Sequence, residues 1–198
     1  MRCFHVSILL ALLFVPAAAL AAQQGEWSGP YAGVEVGSNQ SSANPEYSVT
    51  DFSGSDFATA IYGGYDWQLD RHIVLGGDIF YLWNAITGHI ECNFGSCLED
   101  DVGSNVYGLD GRIGFPFGYQ GQFMPYVKAG YGHFEFTGDF EGDADGWRLG
   151  TGIEWRFSHN ISLMLQYIHA EYDVKANFFA KPVTWKNDNY TVGINWRF

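Results

Sequence analysis

The stretch Trp147-Arg-Leu-Gly-Thr-Gly-Ile-Glu-Trp-Arg-Phe157 decides how this chain folds. Its odd positions carry Trp147, Leu149, Thr151, Ile153, Trp155 and Phe157, and its even positions carry Arg148, Gly150, Gly152, Glu154 and Arg156. Successive side chains of a strand point to opposite faces, so this period of two predicts a β-strand with one greasy face and one of glycine and charge. The carboxyl-terminal stretch repeats the pattern: Tyr190, Val192, Ile194, Trp196 and Phe198 oppose Asn189, Thr191, Gly193, Asn195 and Arg197. Five segments further back alternate in the same way, at 57–68, 73–83, 107–115, 125–133 and 161–169. A first, shorter one sets Ala32, Val34 and Val36 against Gly33, Glu35 and Gly37.

Eight strands of about nine to eleven residues are expected, the length that crosses a bilayer when tilted by about 45°. An even number of antiparallel strands closes into a sheet without edges, which lipid requires because it offers no partner to an unpaired backbone group. The connections alternate too. Those at 69–72, 118–122 and 158–160 are short, whereas those near 38–56, 84–105, 137–146 and 172–188 are longer and polar. Short turns and both termini on the periplasmic rim, with long loops outside, is the polarity of an outer-membrane barrel. A soluble lipocalin-like barrel that binds a ligand inside is the competing architecture, with its apolar face inward and its outer face solvated. The polar face here is too rich in glycine and too poor in Lys and Glu to be that outer surface. Five of the seven tryptophans, Trp67, Trp83, Trp147, Trp155 and Trp196, fall on the apolar face near strand ends, where interfacial girdles sit.

Composition narrows the function. The 198 residues carry 10 basic and 22 acidic side chains, a formal charge of −12, and no clustered Lys/Arg face, so nucleic acid is excluded as a partner. An aromatic content of 18% excludes disorder. At the amino terminus Arg2, the apolar run Val6–Val15 and the small residues ending at Ala19 and Ala21 form a secretory signal peptide over 1–21. Ala19 and Ala22 are the neighbouring cleavage choices, and residues 22–198 form the barrel domain. With Cys3 in the signal peptide, Cys92 and Cys97 remain and are expected to form a disulfide in an oxidising compartment. A zinc site there would need a second pair of ligands, and only His89 lies near. No metal site and no cofactor are expected.

The chain resembles the small eight-stranded outer-membrane β-barrels that include the OmpA transmembrane domain, the opacity-like proteins and the porin-family surface antigens. The resemblance rests on Trp27-Ser-Gly-Pro-Tyr-Ala-Gly33, Ile61-Tyr-Gly-Gly-Tyr-Asp-Trp67, Leu75-Gly-Gly-Asp78, Gly111-Arg-Ile-Gly114, Pro125-Tyr-Val-Lys-Ala-Gly130 and Gly193-Ile-Asn-Trp-Arg-Phe198. These short motifs extend over essentially all of the chain after the signal peptide. Trp196 and the terminal Phe198 look like the signal by which the outer-membrane assembly machinery recognises its substrates. The resemblance implies membrane integrity, adhesion or immune exposure as the role. It also implies outer-membrane lipid, lipopolysaccharide and host or cell-surface ligands as partners.

The inward face then sets the interior chemistry. Asp78, Asp110, Arg112 and Lys128 lie near mid-strand on three consecutive strands, with Glu35, Arg148 and Glu154 around the wall. Buried charges must be paired or hydrogen-bonded, so an ionic network is expected to plug a lumen that eight strands leave only wide enough for side chains. The alternative is a gate that re-pairs its partners and passes a small, porin-like conductance.

Catalysis is the alternative of a different class, since some barrels of this size modify lipid A. His169-Ala-Glu171 resembles the His and acid of the barrel lipid A deacylases, but the Ser that family places two residues after the His is Glu171 here. A non-enzyme is therefore expected. Three of the loops are acidic, carrying Glu46, Asp51 and Asp56; Glu91, Glu99, Asp100 and Asp101; and Asp139, Glu141, Asp143 and Asp145. A dedicated calcium loop from Glu141 fails because its twelfth position is Gly152. Weak bridging to lipopolysaccharide through divalent cations is the remaining use. The fourth loop carries Lys175, Lys181 and Lys186 with Trp185, suited to sugar phosphates or simply to water. With the chain ending at Phe198, no peptidoglycan-binding domain is expected to follow.

Overall fold

The computed structural model describes residues 27–43, 52–88, 100–137, 143–174 and 183–198. They form a closed barrel of eight antiparallel strands in chain order: β1 (Gly29–Ala43), β2 (Phe52–Gln68), β3 (Val74–Gly88), β4 (Asp100–Gly114), β5 (Phe123–Thr137), β6 (Asp143–Arg156), β7 (Ile161–Val174) and β8 (Val183–Arg197). β8 returns to β1 with Val34 opposite Ile194 and Ala43 opposite Trp185. The amide of Phe198 donates to the Pro30 carbonyl at 3.1 Å and finishes that seam.

Three short turns share one rim with Trp27 and Phe198, the first and last described residues. Asp70 closes the first by accepting the amides of His72 and Ile73 at 2.7 and 2.8 Å, leaving Ile73 just before β3. The turn between β4 and β5 is a single 3-10 turn, Tyr119–Gly121, in which Gly118 and Gly121 take φ of 85° and 63°. Left-handed backbone is open to glycine at no steric cost, which is why a glycine brackets the turn on each side.

Strands run 14 to 17 residues, longer than the nine to eleven expected. Asp56 lies in β2, Asp100 and Asp101 in β4, Asp143 and Asp145 in β6, and Trp185 and Lys186 in β8, not in loops. The reason is physical: apolar alternation marks only the part of a strand that touches lipid, while backbone pairing continues into water.

The apolar face points outward along every strand. Ile79, Leu109 and Leu165 are 71%, 63% and 61% exposed, whereas Asp78, Asp110 and Glu154 are buried. That inversion excludes the lipocalin-like alternative. Aromatic residues bound the lipid-facing band. On the turn side Tyr65 packs on Trp67 at 4.7 Å and Phe123 stacks on Trp155 at 6.2 Å. On the other side Tyr81 meets Trp83 at 4.6 Å, and Tyr167 meets Tyr190 at 5.0 Å. Eight residues separate Trp147 from Trp155 on β6, roughly 26 Å along a strand. Tilted by about 40°, that projects to roughly 20 Å, close to the ~25 Å apolar band of such barrels.

Candidate functional site: the charged interior

Inward parity delivers a charged side chain to the lumen from every strand except β7: Glu35 (β1), Asp66 (β2), Asp78 (β3), Asp110 and Arg112 (β4), Lys128 (β5), Arg148, Glu154 and, at the mouth, Arg156 (β6) and Arg197 (β8). They separate into two groups stacked along the axis.

The group nearer the turns holds two cations between two anions. Arg112 donates from Nε to Asp66 Oδ1 at 2.9 Å, pairs through Nη2 with Asp66 Oδ2, and reaches Glu154 Oε2 from Nη1 at 3.1 Å. Arg197 donates to Asp66 Oδ2 at 2.8 Å and Glu154 Oε1 at 2.9 Å, and Ser162 donates to Glu154. Glycine supplies the room. A Cβ on Gly76 would stand 2.0 Å from Asp66 Oδ1 and 3.1 Å from Arg112 Cγ.

Below this group Trp27, fully buried, closes the mouth. Its amide donates to Gln68 Oε1 at 2.7 Å, its indole Nε1 to the Gly121 carbonyl at 2.8 Å, and its own carbonyl accepts from Arg197 at 3.0 Å. The guanidinium carbons of Arg156 and Arg197 lie 4.5 and 4.6 Å from its ring centroid.

In the second group Lys128 lies 3.1 Å from Asp78 Oδ2 and 3.5 Å from Asp110 Oδ2, and Arg148 Nε lies 3.3 Å from Asp110 Oδ1. Arg148 also sits 3.6 Å from the Phe80 ring centroid. Tyr31 joins the two groups: its hydroxyl donates to Asp78 Oδ2 at 2.9 Å while Arg112 stacks 4.5 Å from its centroid.

The structure thus draws six of the seven expected charges into ion pairs. Glu35 has no ion pair among the described residues and instead accepts from Gln166 Nε2 at 2.5 Å and Thr191 Oγ1 at 3.1 Å. Asp66 and Arg197 were missed, although both stand on the inward parity of their strands; the signal was present but lay at strand ends, outside the mid-strand window. Trp196 and Phe198 point outward on the turn rim, 50% and 67% exposed. The expected disulfide of Cys92 and Cys97, with His89, lies outside the described residues. So do the signal peptide and the loop residues Glu46, Asp51, Glu91, Glu99, Asp139, Glu141, Lys175 and Lys181.

His169 stands on the outer wall toward the loop rim, its Nδ1 2.8 Å from Asp188 Oδ1 and its Nε2 3.6 Å from Glu171 Oε1. Tyr167 donates to the same Asp188 oxygen at 2.6 Å, and Lys186 pairs with Glu171 at 3.2 Å. The ring therefore has a carboxylate at each nitrogen, where a hydrolytic centre has an acid on one side and a hydroxyl on the other.

A family model described as "Outer membrane protein beta-barrel domain" matches residues 7–198. The chain is 26% identical to the 31 kDa outer-membrane immunogenic protein of Brucella melitensis biotype 1, over 87% of this chain and 84% of that protein. It is also 26% identical to the 25 kDa outer-membrane immunogenic protein of Brucella canis, over 93% of this chain and 85% of that protein. Among solved structures it is similar to Neisserial surface protein A (NspA), with a TM-score of 0.57, 17% identity, and coverage of 86% of this chain and 98% of that one.

Proposed function

This chain belongs to the outer membrane protein beta-barrel domain family and resides in the Gram-negative outer membrane, and from that premise we propose that it is a sealed, non-catalytic anchor that displays its loops at the cell surface. One observation carries the reading: the lumen is crossed by two stacked groups of ion pairs, with Trp27 across the mouth below them. Eight strands enclose a lumen only wide enough for side chains, and these paired side chains with Trp27 fill it, so the resting lumen passes no ions.

Absence of catalysis is supported by Glu171 standing where a hydroxyl nucleophile would be needed. Exposure to host antibodies is supported by the similarity to the outer-membrane immunogenic proteins of Brucella. The exposed apolar strips meet lipid acyl chains, and the acidic outer ends of the strands meet lipopolysaccharide through shared divalent cations. Trp196 and Phe198 engage the assembly machinery before the barrel closes.

The test combines three measurements on one preparation. Folded chain in detergent is expected to migrate faster unboiled than boiled, to give no steady current in a planar bilayer, and to lose antibody binding to intact cells when the four long loops are shortened. A sustained current from the wild-type chain would overturn the sealed reading. Lipid A altered by the purified protein would overturn the non-catalytic one.

A further inference from the structure

The buried charges do not balance. Five carboxylates, Glu35, Asp66, Asp78, Asp110 and Glu154, face four bases, Arg112, Lys128, Arg148 and Arg197. Each base is engaged by the other four acids, and a further base, Arg156, lies at the turn-side mouth against Trp27. On the loop side three carboxylates, Glu35, Asp78 and Asp110, therefore face two bases, Lys128 and Arg148, and Glu35 is the one without an ion pair among the described residues. Its two hydrogen bonds, from Gln166 and Thr191, come from neutral groups.

Between Glu35 and Asn187 the β1/β8 seam is polar, and toward the loop rim it ends at Trp185, opposite Ala43, whose indole donates to Asn187 Oδ1 at 2.7 Å. Gly37 opposes Thr191, Asn39 opposes Asn189, and Ser41 opposes Asn187. Asn39, Ser41, Asn187 and Asn189 are all at least nine-tenths buried, and five of their side-chain atoms have no hydrogen-bond partner among the described residues: both amide atoms of Asn39, Ser41 Oγ, Asn187 Nδ2 and Asn189 Oδ1. A buried polar atom without a partner loses its hydration with nothing in return, so five in one seam call for a ligand or water that supplies partners. The inward residues that flank the seam include two short ones, Ala58 opposite Gly37 and Ala170 opposite Asn187.

We propose that this seam is a hydrated vestibule entered from the loop rim, which admits a small monovalent cation with its water and ends at Glu35. The chemistry selects that class. The free oxygens of Asn39, Ser41 and Asn189 are neutral, and among the described residues Glu35 is the one carboxylate of the seam that makes no ion pair, too few anions for a calcium site, which draws on several carboxylates. Inward positions along a strand lie about 7 Å apart, a spacing that water bridges. Toward the turns the path stops at the Arg112 and Arg197 ion pairs.

The inference goes beyond the sealed-anchor reading and fails separately from it. Single Asn39→Cys, Ser41→Cys and, on the far wall, Val106→Cys substitutions are made in a chain whose Cys3, Cys92 and Cys97 are serine. Each is refolded into phosphatidylcholine vesicles, and its fold is checked by the heat shift in mobility. Cationic and anionic methanethiosulfonates of matched size then report access. The cationic reagent is expected to modify positions 39 and 41 about tenfold faster than the anionic one, in the range of electrostatic focusing, and position 106 is expected to stay unmodified. Adding Glu35→Gln is expected to bring the ratio near one. No modification at 39 and 41 while the urea-unfolded chain reacts fully, equal rates for both reagents, or a ratio unchanged by Glu35→Gln would each overturn the proposal. In the unmutated chain, cross-relaxation between water and the side-chain amides of Asn39, Asn187 and Asn189 is expected in nuclear magnetic resonance spectra, and its absence counts against the proposal even where a cysteine variant misfolds. Current through the bilayer bears only on the sealed-anchor reading.

Discussion

Asp66 is held by two guanidinium groups and stands 2.0 Å from where a Cβ on Gly76 would be, so this one carboxylate shows how charge and glycine divide the lumen between them. Gly76→Ala is expected to destabilise the barrel by about 1–3 kcal/mol, because the carboxylate cannot retreat from two bases without losing them. Gly77→Ala, whose Cβ would meet nothing nearer than the Asp110 carbonyl at 3.4 Å, serves as the near-neutral control. Urea unfolding in lipid vesicles, followed by tryptophan emission, checks the pair; equal midpoints would refute the packing argument. By the same measurement Arg112→Met is expected to cost about 3–5 kcal/mol, since it strands Asp66 and Glu154 with Arg197 alone. A loss under 1 kcal/mol would show that the network reorganises around the gap. The inward residence of these side chains was legible from parity alone. Their partners were not: Asp66 comes from β2 and Glu154 from β6, and which inward residues meet across the lumen depends on strand stagger, which no single strand's sequence records.

At the level of the strand, the most informative is β8, whose inward positions from Asn187 to Arg197 carry Asn, Asn, Thr, Gly, Asn and Arg while the outward ones include Tyr190, Val192, Ile194, Trp196 and Phe198. A strand so divided has one stable environment, lipid on one side and a polar lumen on the other, which is why the final residues announced the fold. What they did not announce was strand length. Beyond the aromatic belts the outward side chains leave the lipid, the apolar alternation fades, and pairing such as Ala43 opposite Phe52 has no compositional signature. The closing hydrogen bond from Phe198 to Pro30 uses backbone atoms, so Phe198→Ala leaves it intact. That variant is therefore expected to fold in detergent with the wild-type heat shift, yet to accumulate several-fold less in the outer membrane of expressing cells. Fractionation with immunoblotting checks it, and equal accumulation would remove Phe198 from the assembly signal.

For the whole molecule the question is whether one barrier or two closes the lumen. The group nearest the turns is neutral as it stands, because Arg112 and Arg197 meet Asp66 and Glu154, and each base touches both acids. Removing both acids, as Asp66→Asn with Glu154→Gln, conserves volume but leaves two guanidinium groups facing each other in low dielectric, where like charges repel by several kcal/mol. They relieve that repulsion by moving apart or by drawing in anions. Above them Lys128 and Arg148 remain paired with Asp78 and Asp110, while Glu35, hydrogen-bonded to Thr191, lies on the β1/β8 seam. If the turn-side group is the barrier, the double variant is expected to show brief anion-selective current steps in planar bilayers that are absent from the wild type. Adding Trp27→Ala, which removes the ring over the mouth, is expected to lengthen them. If the second group seals the lumen by itself, both variants stay silent, and the barrier then belongs to Lys128 and Arg148 with their two aspartates.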